Sequence, residues 1–308
     1  MRKIIITLST LILWIGVMNA QNNNNYTMFM WNKIQFNPAY AGSKERMVLD
    51  AHYRHQWHNL EGAPKTVTLN MHTPFMNDNC GVGLSLLLDQ IGLTQTIAVT
   101  VPYSYRIQLG GNKVLSLGLQ ARFENTRFRW DEATPIEEID DLINLSDDQN
   151  NNVNFGGGVW YSTTTFYAGI SMPQFLQNSE FTNSAKTLGA ANPFRPIYFM
   201  TGNAFRLSKN LVFKPAVLVS YIKNAPLDFD LNANFLLMDK IWLGASYRWD
   251  DSVDFLAQYL ISNQFSMGLA IDFTTSELRR YNDGSYELML EYLFKKKGAE
   301  QLENLRFF

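Results

Sequence analysis

Clean alternation of apolar and polar residues over stretches of about ten residues constrains this chain most, because that is the length of a tilted membrane-spanning β-strand. Phe229, Leu231, Ala233, Phe235 and Leu237 alternate with Asp230, Asn232, Asn234 and Leu236. Ile241, Leu243, Ala245, Tyr247 and Trp249 alternate with Trp242, Gly244, Ser246 and Arg248. The same rhythm returns in Phe265–Phe273 and in Tyr286–Phe294. Successive strand side chains point to opposite faces, so each segment carries one apolar face and one small or polar face.

A soluble sandwich would also alternate, with its apolar face inward. Two features favour a membrane barrel instead. Aromatic residues stand at the ends of the apolar faces (Tyr247 and Trp249, Phe265 and Phe273, Tyr286 and Phe294), where an outer-membrane barrel places its interfacial girdles. The opposite faces are rich in Gly, Ser, Asn, Asp and Gln, as a lumen is. Charged residues make up 18% of the chain, below the roughly 25% usual in soluble domains. On this parity Asp230, Asn232, Asn234, Arg248, Asp272, Glu287 and Glu291 line the lumen, together with the larger Trp160, Tyr167, Trp242 and Leu256.

The pattern predicts strands at 45–57, 64–75, 80–90, 93–106, 113–125, 153–163, 165–172, 195–208, 210–222, 227–237, 240–249, 252–261, 264–274 and 284–294. That gives an all-β, up-and-down transmembrane barrel of about 14 antiparallel strands, an even number as bacterial single-chain barrels have. The links after even strands are short, and the long links 126–152, 173–194 and 275–283 all follow odd strands. Short periplasmic turns and longer external loops are the usual asymmetry, which puts the chain's N-terminus on the periplasmic side.

Residues 1–20 have the plan of a secretory signal peptide: Arg2 and Lys3, an apolar stretch from Ile4 to Val17, then Met18-Asn19-Ala20. The single cysteine, Cys80, rules out an intrachain disulfide. A formal net charge of −2 leaves no footprint for nucleic acid. No G-x-S-x-G elbow, phosphate-cradling glycine loop or HExxH is present, and the chain reads as a non-enzyme without cofactor or metal. His52, His55 and His58 have a suggestive spacing, but on a strand His55 faces away from the other two.

Four parts stand apart from the strands of the barrel at residues 44–294. Segment 21–43 holds Trp31, Phe36, Pro38 and Tyr40, too aromatic for a loose leader. It is expected to fold against the barrel end or into the lumen and plug it at least partly. Loop 126–152 is acidic, with Asp140 and Asp141 among its eight carboxylates, and suits a solvated loop, calcium or a basic partner. Loop 173–194 offers Phe175, Leu176, Phe181 and Phe194 as apolar anchors. These two loops flank one strand pair and form the candidate cargo-binding surface. The tail 295–308 joins Lys295-Lys296-Lys297 to Phe307-Phe308 as a periplasmic extension.

Several motifs carry a family resemblance. Phe36-Asn37-Pro38-Ala39-Tyr40-Ala41-Gly42, Arg54-x-Gln56-Trp57, Gly62-Ala63-Pro64-x-Thr66, Phe229-Asp230-Leu231-Asn232-Ala233 and Trp242-Leu243-Gly244-Ala245-Ser246-Tyr247-Arg248 resemble the PorP/SprF family of type IX secretion outer-membrane proteins of Bacteroidetes. Tyr286 departs from a histidine often found there. The resemblance marks Asn37, Pro38, Ala39 and Tyr40 as the N-terminal family motif. It implies a barrel in the outer membrane, surrounded by its lipid, that works with other type IX secretion components. It also implies a partner: a large secreted cargo, often an adhesin of gliding cells, bearing a type B C-terminal sorting domain. The competing readings are a diffusion channel or hydrophobic-solute transporter resembling fatty-acid transporters, and a soluble exported adhesive sandwich.

Overall fold

The computed structural model describes residues 26–76, 78–129, 148–176 and 195–295. The expected signal peptide, almost all of the tail and most of the two candidate cargo-binding loops lie outside the described residues. Fifteen strand segments follow one another among them. They are β1 (Val48–His55), β2 (Lys65–Phe75), β3 (Cys80–Ile91), β4 (Thr94–Gly110), β5 (Lys113–Phe128), β6 (Asp148–Ser162), β7 (Phe166–Met172) and β8 (Ile197–Asn203). The rest are β9 (Phe205–Ser208), β10 (Leu211–Tyr221), β11 (Asp228–Leu237), β12 (Ile241–Arg248), β13 (Ser252–Leu260), β14 (Phe265–Thr274) and β15 (Ser285–Leu293). Because β8 and β9 both pair with β10, they form one stave, and the barrel has fourteen. β15 pairs antiparallel with β1 from Val48↔Leu293 to His55↔Tyr286, which closes the sheet. Closure leaves no strand edge, as a wall surrounded by hydrocarbon requires.

Three expectations need correction. The strand expected over 195–208 is broken at Ala204, which is buried and donates its N–H to Thr165 O at 2.7 Å. Its partner strand shifts register between Leu211 and Val212, so the break is a bulge that bends this stave. The acidic loop is shorter than 126–152, because β5 and β6 stay paired out to Phe128↔Asp148. Finally, His58 lies beyond β1 rather than on the face of His52, and its ring meets that of His55 edge-on at 5.1 Å.

The two ends of the barrel differ in their links. Met238 and Asp239 both adopt positive φ, 51° and 53°, in the three-residue link from β11 to β12. Positive φ at both gives the turn a twist that matches its strands. All links at this end are short, and β1 starts and β15 finishes there. The opposite end carries the links 56–64, 129–147, 173–196, 222–227 and 275–284, with 92–93 and 249–251 as its tight turns among the described residues.

Side-chain parity divides the wall as alternation requires. Leu231, Phe235, Leu243, Tyr247, Leu269, Ile271 and Tyr286 are exposed around the perimeter. Their neighbours Asp230, Asn232, Asn234, Ser246, Arg248 and Asp272 are buried inside. The apolar core also lies inside: Tyr26, Met28, Phe29, Met30, Ile34 and Phe36 pack against Tyr167, Tyr198, Met200, Leu236, Trp242 and Met289. Sealing side chains of this size contributes about 1.5–3 kcal/mol each. Leu243 stands on the outer face near the middle of β12. Replacing it with arginine should therefore cost about 2–4 kcal/mol of barrel stability in lipid. Urea titration of vesicle-inserted protein reads this directly; an unchanged midpoint would mean that Leu243 faces the lumen.

Candidate functional site

The site is the lumen with residues 26–43 inside it. The described segment starts at Tyr26 and Thr27 near the end carrying the longer links and runs towards the short-turn end, where it joins β1. Its only helical turns are α1 (Lys33–Phe36) and a 3-10 turn at Pro38–Tyr40. Helix is disfavoured beyond Phe36 because Asn37 is extended (φ −138°, ψ 113°) and Pro38 follows.

Near the long-link end the segment is held by buried charges. Thr27 Oγ1 donates to the Asp272 carboxylate at 2.6 Å and accepts from Arg54 Nη1 at 2.6 Å. Arg54 Nη2 donates to Asp272 Oδ2 at 2.6 Å, and Nη1 lies 3.3 Å from Glu287 Oε2. Glu287 Oε2 also accepts the Thr27 N–H at 2.8 Å. Arg248 Nε donates to Asp230 Oδ1 at 2.7 Å, and its Nη2 reaches Tyr26 O at 3.4 Å. His52 lies between Asp50 and Glu287, 3.4 Å from each. Charge-assisted bonds in a water-poor interior are the strong kind, and removing one partner strands the other.

Midway, amides dominate. Asn70 Nδ2 donates to Asn32 Oδ1 at 3.0 Å and to Asp50 Oδ1 at 2.7 Å, while its own Oδ1 accepts from Gln35 Nε2 at 2.6 Å. Lys33 is buried; its Nζ donates to Met30 O at 2.6 Å and lies 5.2 Å from the ring centres of both Tyr40 and Tyr167. Burial, together with the charges of Lys214 and Lys44, holds its ammonium well below the usual 10.5. The Tyr40 phenol is pushed up to about 12, chiefly by burial.

Towards the short-turn end the family motif interlocks with the wall. Asn37 Nδ2 donates to Val159 O at 3.0 Å and to Ile170 O at 3.3 Å, while Asn37 Oδ1 accepts the Ala39 N–H at 3.0 Å. Ser171 Oγ donates to Phe36 O and Ser104 Oγ to Ala41 O, both at 2.7 Å. Gly42 N–H donates to His72 Nδ1 at 3.2 Å. Tyr40 packs on Trp160 at 5.3 Å, and Trp160 stacks on Tyr167 at 4.8 Å. The wall leaves room for this only where it lacks side chains. A Cβ on Gly118 would strike the backbone of Ala39 and Pro38, and one on Gly158 would strike the Asn37 amide.

A family model described as "Type IX secretion system membrane protein PorP/SprF" matches residues 18–292. The chain belongs to this family. It is an outer-membrane β-barrel of the type IX secretion system, in a family of secretion-system membrane proteins rather than enzymes. No curated protein matches the chain. Among solved structures, the Ralstonia pickettii toluene transporter TbuX is similar over 85% of this chain and 92% of its own, with 9% identity and a TM-score of 0.51. A Pseudomonas aeruginosa FadL homologue matches over 84% and 93%, with 12% identity and a TM-score of 0.49. At such identities the first likeness shows a shared barrel fold and nothing about activity.

On this PorP/SprF barrel, Asp230, Asn232, Asn234, Arg248, Asp272, Glu287 and Glu291 all sit buried on the inner face. Glu291 pairs with Lys44, and Asn232 donates to Ser246 Oγ at 2.7 Å. Asn37, Pro38, Ala39 and Tyr40 are also buried. Phe175 is exposed on the outer wall, over Gly157. Leu176 is exposed too, and its N–H donates to Asn154 Oδ1 at 3.0 Å. Pro173 instead folds inward over Gly156, and its carbonyl accepts from Gln120 Nε2 at 2.9 Å. Asp140, Asp141, Phe181 and Phe194 lie outside the described residues. Thr27, Lys33 and Gly118 carry much of the interlock and were not singled out by pattern. For Gly118 the signal was a residue without a side chain on the inner parity of a strand.

Two outcomes follow. Gly118→Val should expel the 37–42 stretch while the barrel still forms. Limited proteolysis should then cut near Tyr40 in unheated protein that keeps folded gel mobility. The second concerns Lys33, which in the folded state gives up its proton below 10.5. The unfolded chain then binds more protons over the interval up to 10.5, so stability rises with pH there. Lys33→Met should thus stabilise the protein near neutral pH, and the gain should shrink as pH approaches 10.5. Thermal melts across that range measure it.

Proposed function

We propose that this barrel assists the secretion or surface anchoring of a large cargo protein, an adhesin of gliding cells in type, by engaging its type B C-terminal sorting domain. The single observation that carries the reading is the family match over residues 18–292. The lumen supports it. A lumen filled by residues 26–43 and crossed by buried ion pairs suits a rigid platform better than an open diffusion path. We take the segment to be a plug.

The end with the longer links is read as external, from the asymmetry usual in such barrels. Binding surfaces favour long loops on a rigid scaffold, because the loops vary while the hydrogen-bonded wall stays fixed. Cargo is therefore assigned to the two longer loops, with Phe175, Leu176, Phe181 and Phe194 as apolar anchors and Asp140 and Asp141 steering a basic partner. Affinity purification from native envelopes should bring down a large secreted protein together with other secretion components. Joint alanine replacement of Leu176, Phe181 and Phe194 should release that protein into the medium at unchanged barrel levels. Retained cargo would move the recognition surface to the periplasmic side.

A further inference from the structure

Besides Asp228 at the start of β11, five buried or half-buried carboxylates gather in the half of the lumen near the longer links: Asp230, Asp251, Asp254, Asp272 and Glu287. The guanidiniums among them are those of Arg54 and Arg248. Arg248 bonds Asp230 and Asp251, while Arg54 bonds Asp272 and Glu287. Each guanidinium thus already serves two carboxylates, and Asp254 is left over. Its side chain is fully buried, and neither Oδ1 nor Oδ2 has a hydrogen-bond partner. It faces inward on β13 directly across from Asp272 on β14, with Ser246 of β12 on its other side. Ser252, two residues earlier on the same face, is also buried, and its hydroxyl stands beside the Asp254 carboxylate.

A bare carboxylate beside a second carboxylate, sealed from solvent, is costly unless something positive joins it. The atoms that lack partners are oxygens, and the excess charge is negative. We propose that Asp254, with Ser252 Oγ and the neighbouring Asp272 carboxylate, forms a binding site for a hard divalent cation, calcium in kind. Oxygen-only ligation selects against zinc and copper. Among the described residues no three His, Cys, Asp or Glu side chains converge on one metal position. With two carboxylates and one hydroxyl the protein supplies only part of a calcium shell, so the affinity is expected in the weak range of about 10⁻⁴–10⁻³ M found for extracellular calcium modules. Asp272 also accepts from Thr27 and Arg54, so a cation here strengthens the attachment of the N-terminal segment.

The test uses the purified full-length chain in detergent, with terbium as a luminescent probe and calcium chloride as competitor. Wild type should show saturable terbium luminescence that calcium displaces, and calcium should raise its melting temperature relative to EDTA. Asp254→Asn should lose both responses while retaining folded gel mobility, and Ser252→Ala should weaken both. Displaceable binding that persists in Asp254→Asn would belong elsewhere, such as the acidic loop, and would overturn the proposal. So would a wild type blind to calcium; an Asp254→Asn variant that then melts higher would show that Asp254 simply carries a proton. If Asp254→Asn fails to assemble, undiminished binding in Ser252→Ala is the overturning result.

Discussion

The pairing of β15 with β1 is the contact on which the rest of the molecule depends. In hydrocarbon each backbone N–H and C=O must find its partner within the protein, so an open sheet of this length would leave two unsatisfied edges. Val48↔Leu293 through His55↔Tyr286 removes both. The same pairing sets Arg54 beside Glu287 and places Asp272 one strand further on. The charged cluster that grips Thr27 is therefore a consequence of closure. No two of its wall residues are near neighbours in the chain.

Closing a fourteen-stave barrel creates an interior that must be filled or wetted. Here the chain's own N-terminal segment lies in it, and its Met28, Phe29, Met30, Ile34 and Phe36 supply the core that a soluble protein would take from its sheet faces. The two halves of that segment are held by different physics. Around Asn37 to Gly42 the backbone lies against a wall stripped of side chains and gains its hold from shape and hydrogen bonds to main chain. Around Thr27 the hold is electrostatic, with carboxylates outnumbering guanidiniums.

Lysine illustrates how an interior can depart from its pattern. The inner faces are poor in lysine by sequence, yet Lys33, Lys44 and Lys214 are all within the structure's interior half near the short turns. Lys214 Nζ lies 5.4 Å from the Trp242 ring centre, and Lys44 pairs with Glu291. Aromatic faces there do for Lys33 part of what carboxylates do for Arg54.

Sequence by itself determined the fold class, the fourteen staves and the face on which each strand residue lies. These are local properties: a period of two is written in neighbouring residues, and lipid outside enforces it strand by strand. It also determined the asymmetry of the links and the apolar character of the segment before β1. Only the tertiary structure decided what meets across the lumen. Thr27 and Asp272 are 245 residues apart, and no periodicity relates them. Nor could alternation distinguish Gly118, a seat for the Ala39 backbone, from any other small inward residue. The bulge at Ala204 and the inward fold of Pro173 were hidden for the same reason. Parity fixes the side of the wall on which a side chain stands; its partner depends on barrel closure and on the path of a segment that belongs to no strand.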